Sequence, residues 1–253
     1  MKSRLRYHAV HVVRLAFVLL LGGCSQLFGL DPLESLAGEP PAVIAFATGS
    51  CNDCPSRSLA VYPVEARSNG LLLVHVVSSL AGQTISAPPS ISVTFGDQPM
   101  TLVTRATIQG DGSKPLLELW KLDNPEVGRH DVDVILSSMT ATLIVGATQL
   151  EGVADDPVRG FTSLGGEGQQ ATNAIESSQN DLVLDAVCAG GSIEAPGLDQ
   201  TLQWKEARGD TSSCGNLATS IRPGDATVQL DWSVNVNKLD WWLDLAASIA
   251  PAQ

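Results

Sequence analysis

The chain has 253 residues, a formal net charge of −12 at pH 7 and five cysteines. A chain this acidic lacks the basic patches that a nucleic-acid backbone demands, so nucleic-acid binding is not expected. The length suits one large all-β domain with a short flanking segment better than it suits two small domains.

Residues 1–23 have the pattern of an export signal. A basic, acid-free start is followed by an apolar run at 15–21. This run is too short to span the hydrocarbon core of a bilayer, which needs ~20 apolar residues. Basic start, short apolar run and small residues in that order predict a leader that is removed on export.

The end of this leader, Leu21-Gly22-Gly23-Cys24, resembles the lipobox of bacterial lipoproteins. The resemblance implies cleavage before Cys24 and lipidation of its thiol and new amino group. Several acyl chains would anchor the protein firmly, since each buried CH₂ contributes ~0.8 kcal/mol. Ser25 stands where an aspartate would favour the inner membrane, so the outer membrane is expected. The alternative is an ordinary secretory signal followed by an unrelated cysteine.

Residues 24–41 contain several glycines and prolines and predict a tether. Short apolar or alternating runs follow over 42–251. The run 71–77 is apolar on both faces, which predicts a strand in the middle of a sheet. The predicted strands are 43–48, 71–77, 91–95, 101–108, 115–122, 132–136, 143–150, 182–188, 201–204, 228–234 and 241–249, and the predicted loops include 157–170, 189–200 and 207–217.

The strand pattern predicts an all-β fold. No stretch keeps a helical period over more than two turns. About a dozen strands in one open sheet would curl or split. We therefore predict a single jelly-roll-like or Ig-like β-sandwich over 42–251.

Several segments are similar to bacterial exported β-sandwich modules found in surface and phage-associated proteins. They are Val93-Thr94-Phe95-Gly96-Asp97-Gln98-Pro99-Met100-Thr101, Leu117-Glu118-Leu119-Trp120 with Asn124-Pro125, Val145-Gly146-Ala147 leading to Gly152-Val153, Asp181-Leu182-Val183-Leu184-Asp185, and the tail from Arg222-Pro223-Gly224 through Trp241 to Ile249. The resemblance covers about residues 42–251. It implies the sandwich fold and supplies no catalytic residue.

Four cysteines besides Cys24 suit a protein exported to an oxidising compartment, namely Cys51, Cys54, Cys188 and Cys214. Four cysteines allow three pairings, and the pairing closest in sequence is Cys51–Cys54 with Cys188–Cys214. A redox role for the first pair would need a helix after a strand, which the sequence does not indicate. Zinc would need a second ligand pair, which the four histidines do not offer. Two structural disulfides are therefore predicted.

Candidate catalytic residues are few. A hydrolase needs a nucleophile with a base, or paired acids, and the chain has no Gly-x-Ser-x-Gly elbow. His75 shares a strand face with apolar residues and is predicted to be a core histidine. His130 lies at a turn and is predicted to be solvated. Asp155 and Asp156, which precede Pro157, are typical of a turn, and calcium binding is the weaker alternative.

Two tryptophans are the candidate ligand-binding residues. Trp242 alternates with Trp241 and should therefore point away from the apolar strand face, near Asp244. An exposed tryptophan beside a carboxylate suits stacking on a sugar ring. Trp204, which two charged residues follow, is the second candidate. The alternative for Trp242 is packing under a loop or against the tether.

Together these patterns predict a lipid-anchored protein of the cell envelope, held at the outer membrane through Cys24. We expect a non-enzymatic binding or structural module for a glycan or an envelope protein, without cofactor or resident metal. The competing hypothesis is a carbohydrate-active enzyme that uses loop carboxylates.

Overall fold

The computed structural model of the chain describes residues 38–54, 62–67, 69–79, 90–108, 115–137, 140–208, 214–235 and 241–253. The predicted leader, the predicted lipidation site Cys24 and the tether up to residue 37 lie outside these ranges. Within them, no helix has the length and hydrophobicity needed to cross a bilayer.

The described residues form seventeen β-strands. The first nine are β1 (Ala42–Cys54), β2 (Tyr62–Ala66), β3 (Leu71–Ser79), β4 (Ile91–Phe95), β5 (Gln98–Pro99), β6 (Thr101–Thr107), β7 (Leu116–Asp123), β8 (Gly128–Leu136) and β9 (Thr140–Glu151). The remaining eight are β10 (Val153–Glu167), β11 (Gln170–Glu176), β12 (Leu182–Ala189), β13 (Ser192–Pro196), β14 (Thr201–Ala207), β15 (Asn216–Pro223), β16 (Thr227–Asn235) and β17 (Trp241–Pro251).

These strands pair antiparallel in four sheets. Sheet A has the order β1-β9-β3-β7-β6, and sheet B has the order β2-β8-β4-β5. Sheet C has the order β10-β17-β12-β15-β14, and sheet D has the order β11-β16-β13.

The sheets stack in the order B, A, C, D, with an apolar core between each neighbouring pair. In β3, Leu71 and Leu73 enter the core between sheets A and C, while Leu72 and Val74 enter the core between A and B. Strands of the outer sheets alternate instead, with one face buried and one face in solvent, as β16 does. The inner sheets A and C are thus covered on both sides.

The predicted all-β sandwich is confirmed, and the structure adds a subdivision that the sequence did not indicate. Strands β1 to β9 form one sandwich, of sheets A and B, and strands β10 to β17 form a second, of sheets C and D. The order of sheet A reappears in sheet C when β1, β9, β3, β7 and β6 are replaced by β10, β17, β12, β15 and β14. The chain therefore contains a duplicated fold.

Fine details of the strands repeat as well. The corresponding edge strands β1 and β10 have a bulge at the same point of their ladders, between Val43 and Ala45 and between Val158 and Gly160. The opposite edge strands β6 and β14 also share a bulge, between Leu102 and Thr104 and between Leu202 and Trp204. Asn69 and Asn180, which precede β3 and β12, both have positive φ, of 55° and 72°. Asparagine tolerates this conformation better than most residues.

The two halves pack through sheets A and C with reversed strand order, so that β1 lies against β14 and β6 lies against β10. Trp204 of β14 donates a hydrogen bond from Nε1 to Thr148 Oγ1 of β9 at 3.2 Å. Ser50 of β1 donates one to Glu206 Oε1 of β14 at 2.6 Å. Exchanging the two halves turns the contact of β1 with β14 into the contact of β10 with β6, so the halves are related by an approximate two-fold axis.

Two predicted loops were wrong. In the first predicted loop, residues 157–167 belong to β10 and Gln170 begins β11, and residues 192–196 of the second predicted loop form β13. The sequence also gave no indication of β11 or of β15. Strand β10 lies at an edge, where one side of the strand faces solvent and glycines and polar residues replace a buried alternation. A pattern based on buried residues does not detect such a strand.

Candidate functional site

The most unusual chemistry of the molecule lies between sheets C and D, beginning with Asp185. This residue lies in the middle of β12 and its side chain is fully buried. Trp232 of β16 donates from Nε1 to the Asp185 carboxylate, 2.9 Å from each oxygen. Gln200 donates from Nε2 to Asp185 Oδ2 at 3.0 Å. The carboxylate thus joins the two sheets from within the core.

Gln200 extends this network to the rim of the sandwich. Its Nε2 also donates to Ser220 Oγ of β15 at 2.9 Å. Its Oε1 accepts from the backbone N–H of Asp231 in β16 at 2.8 Å. One amide side chain therefore bridges strands of sheets C and D, and it shields Asp185 at the edge of the core.

Asp244 is a second fully buried carboxylate, in β17 beside β12. Asn173 of β11 donates from Nδ2 to Asp244 Oδ1 at 2.6 Å. Asn173 is held in turn by Thr162, whose Oγ1 donates to Asn173 Oδ1 at 3.2 Å. Asp244 Oδ2 and the nearby Nε1 of Trp242 have no hydrogen-bond partner among the described residues. A buried polar atom without a partner costs roughly 1–3 kcal/mol.

Burial raises the pKa of both carboxyl groups. The pKa of Asp185 lies well above its ordinary value because of burial and the nearby Asp244 charge, although the Trp232 hydrogen bond opposes the shift. Burial raises the pKa of Asp244 to about 7, against the hydrogen bond from Asn173. These two aspartates therefore keep their protons at pH values where an exposed aspartate is ionised.

The first half has no such pair at the same places. The ladder positions of Asp185 and Asp244 correspond to Val74 and Val145, which lie in the apolar core between sheets A and B. The first half does bury one carboxylate, Glu118, but Arg105 donates from Nε to its Oε1 at 2.7 Å. In the described part of the chain, Asp185 and Asp244 bond to amide and indole N–H groups and to no cation. The fold does not need these two acids, since the first half has the same strand order without them.

Sheet D closes the Asp185–Asp244 pair off from solvent. A glycosidase needs two carboxyl groups on either side of a bond in a substrate that it can reach. Trp232 is 1% exposed and lies over Asp185, so no substrate reaches this pair in the closed sandwich. In the described structure the pair is a polar element of the core.

The expected exposure of Trp242 and Trp204 was wrong. Trp242 is 7% exposed and Trp204 is 5% exposed. Trp242 does point to the same side of β17 as Asp244, as alternation predicted, but sheet D covers that side. Trp204 packs in the core between sheets A and C, edge-on to the ring of His75 with ring centroids 6.3 Å apart. Neither tryptophan offers a surface to a sugar.

Asp155 and Asp156 were predicted to lie in a loop, but both are exposed residues of strand β10. Asp156 is 92% exposed, and its Oδ1 lies 3.6 Å from the Lys121 ammonium. Asp155 lines a small polar cavity of about 60 Å³ together with Asp123 and Gly70. Within the described ranges, no group of three or more histidine, cysteine or acidic side chains is placed to hold a metal ion.

An open polar depression of about 420 Å³ lies around His130 on sheet B. Its walls include Asp131 and Asp133 of β8 and Asp97 of the turn between β4 and β5. Partial burial and the neighbouring Asp131 charge raise the pKa of Asp133. The His130 ring also packs edge-on against Phe95, with centroids 5.2 Å apart, and is only partly exposed. This depression brings carboxylates together in an accessible place that the sequence did not predict.

His75 is buried as predicted, at 1% exposure. Burial lowers its pKa to about 3, so the ring is neutral near pH 7. Its Nδ1 has no hydrogen-bond partner among the described residues. In the interface of the two halves, His75 is therefore a neutral core side chain that resists protonation.

The predicted disulfide Cys188–Cys214 is confirmed. It joins the end of β12 to the turn before β15, across a sequence separation of 26 residues, and both cysteines are fully buried. Cys51 is also disulfide-bonded. The side chain of Cys54 lies outside the described part of the structure, so the pairing Cys51–Cys54 stays a prediction.

Sequence patterns did contain one sign of the buried network. Asp185 interrupts the apolar run of β12 and Asp244 interrupts that of β17. An acid inside a strand that is apolar on both faces indicates a buried carboxylate. Its partners Asn173 and Trp232 come from distant strands, and the sequence does not reveal them. Compared with protein-family models and with curated proteins, the chain finds no match.

Proposed function

We propose that the chain is a lipid-anchored protein of the bacterial cell envelope, and that its β-body works through contacts with another envelope protein without catalysing a reaction. The motif Leu21-Gly22-Gly23-Cys24 after a basic and then apolar leader carries this proposal. The acidic surface fits it, because a protein of net charge −12 is repelled by anionic head groups and would depend on its lipid for attachment.

Three placements support a non-catalytic role. Asp185 and Asp244, whose pKa values are raised most strongly, are buried in the core between sheets C and D. The cavity beside Asp155, at about 60 Å³, is much smaller than the ~300–1,000 Å³ of usual ligand sites. The two tryptophans that suited a sugar are buried, so a protein partner replaces a glycan in the proposal.

Fractionation of cells that express the chain tests the anchor. We expect wild type and the matched variant Ser25→Ala in the membrane fraction, both labelled by a fatty-acid analogue. Cys24→Ala should lose the label and keep the slower mobility of the uncleaved chain. A Cys24→Ala protein with unchanged mobility and unchanged membrane association would contradict the proposed lipidation.

The second candidate function is a carbohydrate-active enzyme, and the depression around His130 favours it over the loop acids. Asp131 and Asp133 line an accessible space there, and the pKa of Asp133 is raised as a general acid requires. A screen of the protein against polysaccharides decides between the two candidates. Turnover that Asp133→Asn abolishes and Asp156→Asn leaves intact would establish the enzyme and overturn the non-catalytic proposal.

A further inference from the structure

Two buried acids join sheet D to sheet C. Trp232 of sheet D donates a hydrogen bond to Asp185 of sheet C, and Asn173 of sheet D donates one to Asp244 of sheet C, both inside the core. In the described part of the chain, the other side-chain bonds that join strands of these two sheets are only part-buried or exposed. The fully buried bonds between the strands of the two sheets therefore all end on a carboxyl group.

These two carboxyl groups are close neighbours on one face of sheet C. In the ladder of β12 and β17, Asp185 lies opposite Ala246 and Asp244 lies opposite Val187. The acids are thus a diagonal pair, and the Cα atoms of such a pair are about 7–8 Å apart in an antiparallel sheet. Two like charges at this distance repel strongly when little water lies between them.

Other charged groups around the pair do not neutralise it. Asp231 of β16, on the outer face of sheet D, adds a third negative charge that acts on both acids. The buried side chains of β11 and β13, which cover the pair with β16, are uncharged. The remaining charged side chains beside this core are bonded to other groups, namely Arg222, Lys205 and the ion pair Asp181–Arg159.

Closed and open arrangements of sheet D differ in how well they tolerate ionised acids. Burial raises the pKa of both carboxyl groups, and it raises the pKa of Asp244 to about 7. Contact with water would return each pKa to ~3.9 if sheet D moved away. Ionisation therefore favours an arrangement in which the two acids reach solvent.

We propose that the Asp185–Asp244 pair is a pH-sensitive switch, which keeps sheet D closed over sheet C while it is protonated and lets sheet D open locally when it loses its protons. Opening exposes the face of sheet C that carries Trp242 and both acids. The first half has no such switch, because Val74 and Val145 take the two places in an apolar core. Sheet C itself stays in place, since its other face packs on sheet A.

The opening equilibrium should rise with pH. A proton held with a pKa of about 7 in the closed arrangement and ~3.9 in the open one makes opening up to tenfold more favourable per pH unit between these values. Across this range Asp244 alone accounts for a change of about 1,000-fold. Below pH 4 the pair is protonated in both arrangements, so opening no longer depends on it.

Amide hydrogen exchange of the purified full chain tests the switch. Protection factors, which correct for the intrinsic dependence of exchange on pH, are measured for each strand between pH 4 and 7. We expect the protection of β11 and β16 to fall at least tenfold across this range. Strands β2 and β8 of sheet B are the matched control and should keep their protection, and so should β12 beneath sheet D. Equal losses in β12 and β16 would indicate global unfolding and overturn the local switch, as would a pH-independent β16.

A double substitution identifies the acids as the source of the pH dependence. Asp185→Asn with Asp244→Asn keeps an oxygen acceptor for Trp232 and for Asn173 but cannot ionise. Protection of β16 in this variant should not depend on pH, whereas Asp156→Asn, at a carboxylate that is 92% exposed, should behave as wild type. If the double variant does not fold, Asp244→Asn alone should reduce the fall in protection. Wild-type pH dependence in a folded variant without these acids would contradict the proposal.

Thiol labelling gives a second measurement. Ala171 of β11 and Ala66 of β2 are both buried alanines that face an inner sheet. Relative to the unfolded variant at the same pH, Ala171→Cys should react increasingly with a maleimide from pH 5 to 7, whereas Ala66→Cys should stay protected. Equal behaviour of the two thiols would contradict the opening of sheet D alone. The switch does not rest on the proposed anchor, so the outcome for Cys24→Ala leaves this test unaffected.

Discussion

Val74 and Asp185 occupy the same place in the two halves of this chain, each in the central strand of an inner sheet and facing the outer sheet of its own half. Around Val74 the core is apolar. Around Asp185 it contains a tryptophan N–H, a glutamine and a second carboxylate. One fold therefore appears in one molecule with two kinds of core, and the first half is an internal control for the second.

Because folded Asp244 keeps its proton to a higher pH than unfolded Asp244, the free energy of unfolding should depend on pH. Its pKa is about 7 in the folded chain and ~3.9 in the unfolded chain. Between these values the unfolded state loses a proton that the folded state keeps, so stability falls as pH rises from about 4 to 7, by up to ~1.4 kcal/mol per pH unit. Urea unfolding of wild type and Asp244→Asn should show this decline in wild type relative to the variant.

The control for this measurement is Asp156→Asn, which removes a carboxylate that is 92% exposed. Its pH profile should follow that of wild type. If wild type and Asp244→Asn have parallel profiles between pH 4 and 7, Asp244 is ionised in the folded protein, and the proposed proton is absent.

His75 should make the free energy of unfolding depend on pH in the opposite direction to Asp244. Burial lowers its pKa to about 3, while the unfolded value is ~6.5. As pH falls through 6.5 toward 3, the unfolded state takes up a proton that the folded state refuses, so stability declines by up to ~1.4 kcal/mol per pH unit. His75→Leu should remove this acid sensitivity, whereas His130→Leu, in a partly exposed place, should retain it. A His75→Leu profile parallel to wild type would contradict the expectation.

The packing of the two halves against each other should be disrupted by a side chain at position 146, which is a glycine. This glycine of β9 lies under the ring of Trp204, and a Cβ there would overlap the ring. Trp204 is 5% exposed and bonded to Thr148, so it has little space in which to move. We expect Gly146→Ala to lower the free energy of unfolding by about 1–3 kcal/mol, as overpacking usually does.

Gly160→Ala is the matched control for this substitution. Gly160 also lies in an inner sheet, but the nearest atom to its Cβ position is Glu176 O at 3.9 Å, which is an ordinary contact. Its effect on the midpoint of thermal unfolding should be small. Similar midpoints for Gly146→Ala and wild type would mean that the halves separate easily at Trp204.

Sequence periodicity predicted those features of the fold that depend on local burial. The two-sided run of β3, the alternation of β16 and the disulfide Cys188–Cys214 all follow from spacing along the chain. Alternation even predicted that Trp242 and Asp244 share a side of β17. Whether that side meets solvent or another sheet depends on strands distant in sequence, and here the covering sheet D reversed the expected exposure.

The duplication escaped detection for a related reason. The two halves preserve strand order, bulges and positive-φ asparagines, while their core side chains differ, as Val74 and Asp185 do. Short identities such as Thr101-Leu102 and Thr201-Leu202 are too brief to mark a repeat. The two halves share their backbone geometry but not their core side chains. The repeat is therefore visible in the strand pairing and not in the amino-acid sequence.

The disulfide Cys188–Cys214 should contribute substantially to the stability of the second half. It closes a loop of 26 residues in sequence, and the chain-entropy argument gives about 3–4 kcal/mol for a loop of this length. Cys188→Ala with Cys214→Ala should lower the free energy of unfolding by about this amount and lower the unfolding midpoint in urea. Since both cysteines lie in the core, a double replacement by valine separates the lost cross-link from the lost volume. If the valine pair retained wild-type stability, packing at this site would matter more than the covalent link.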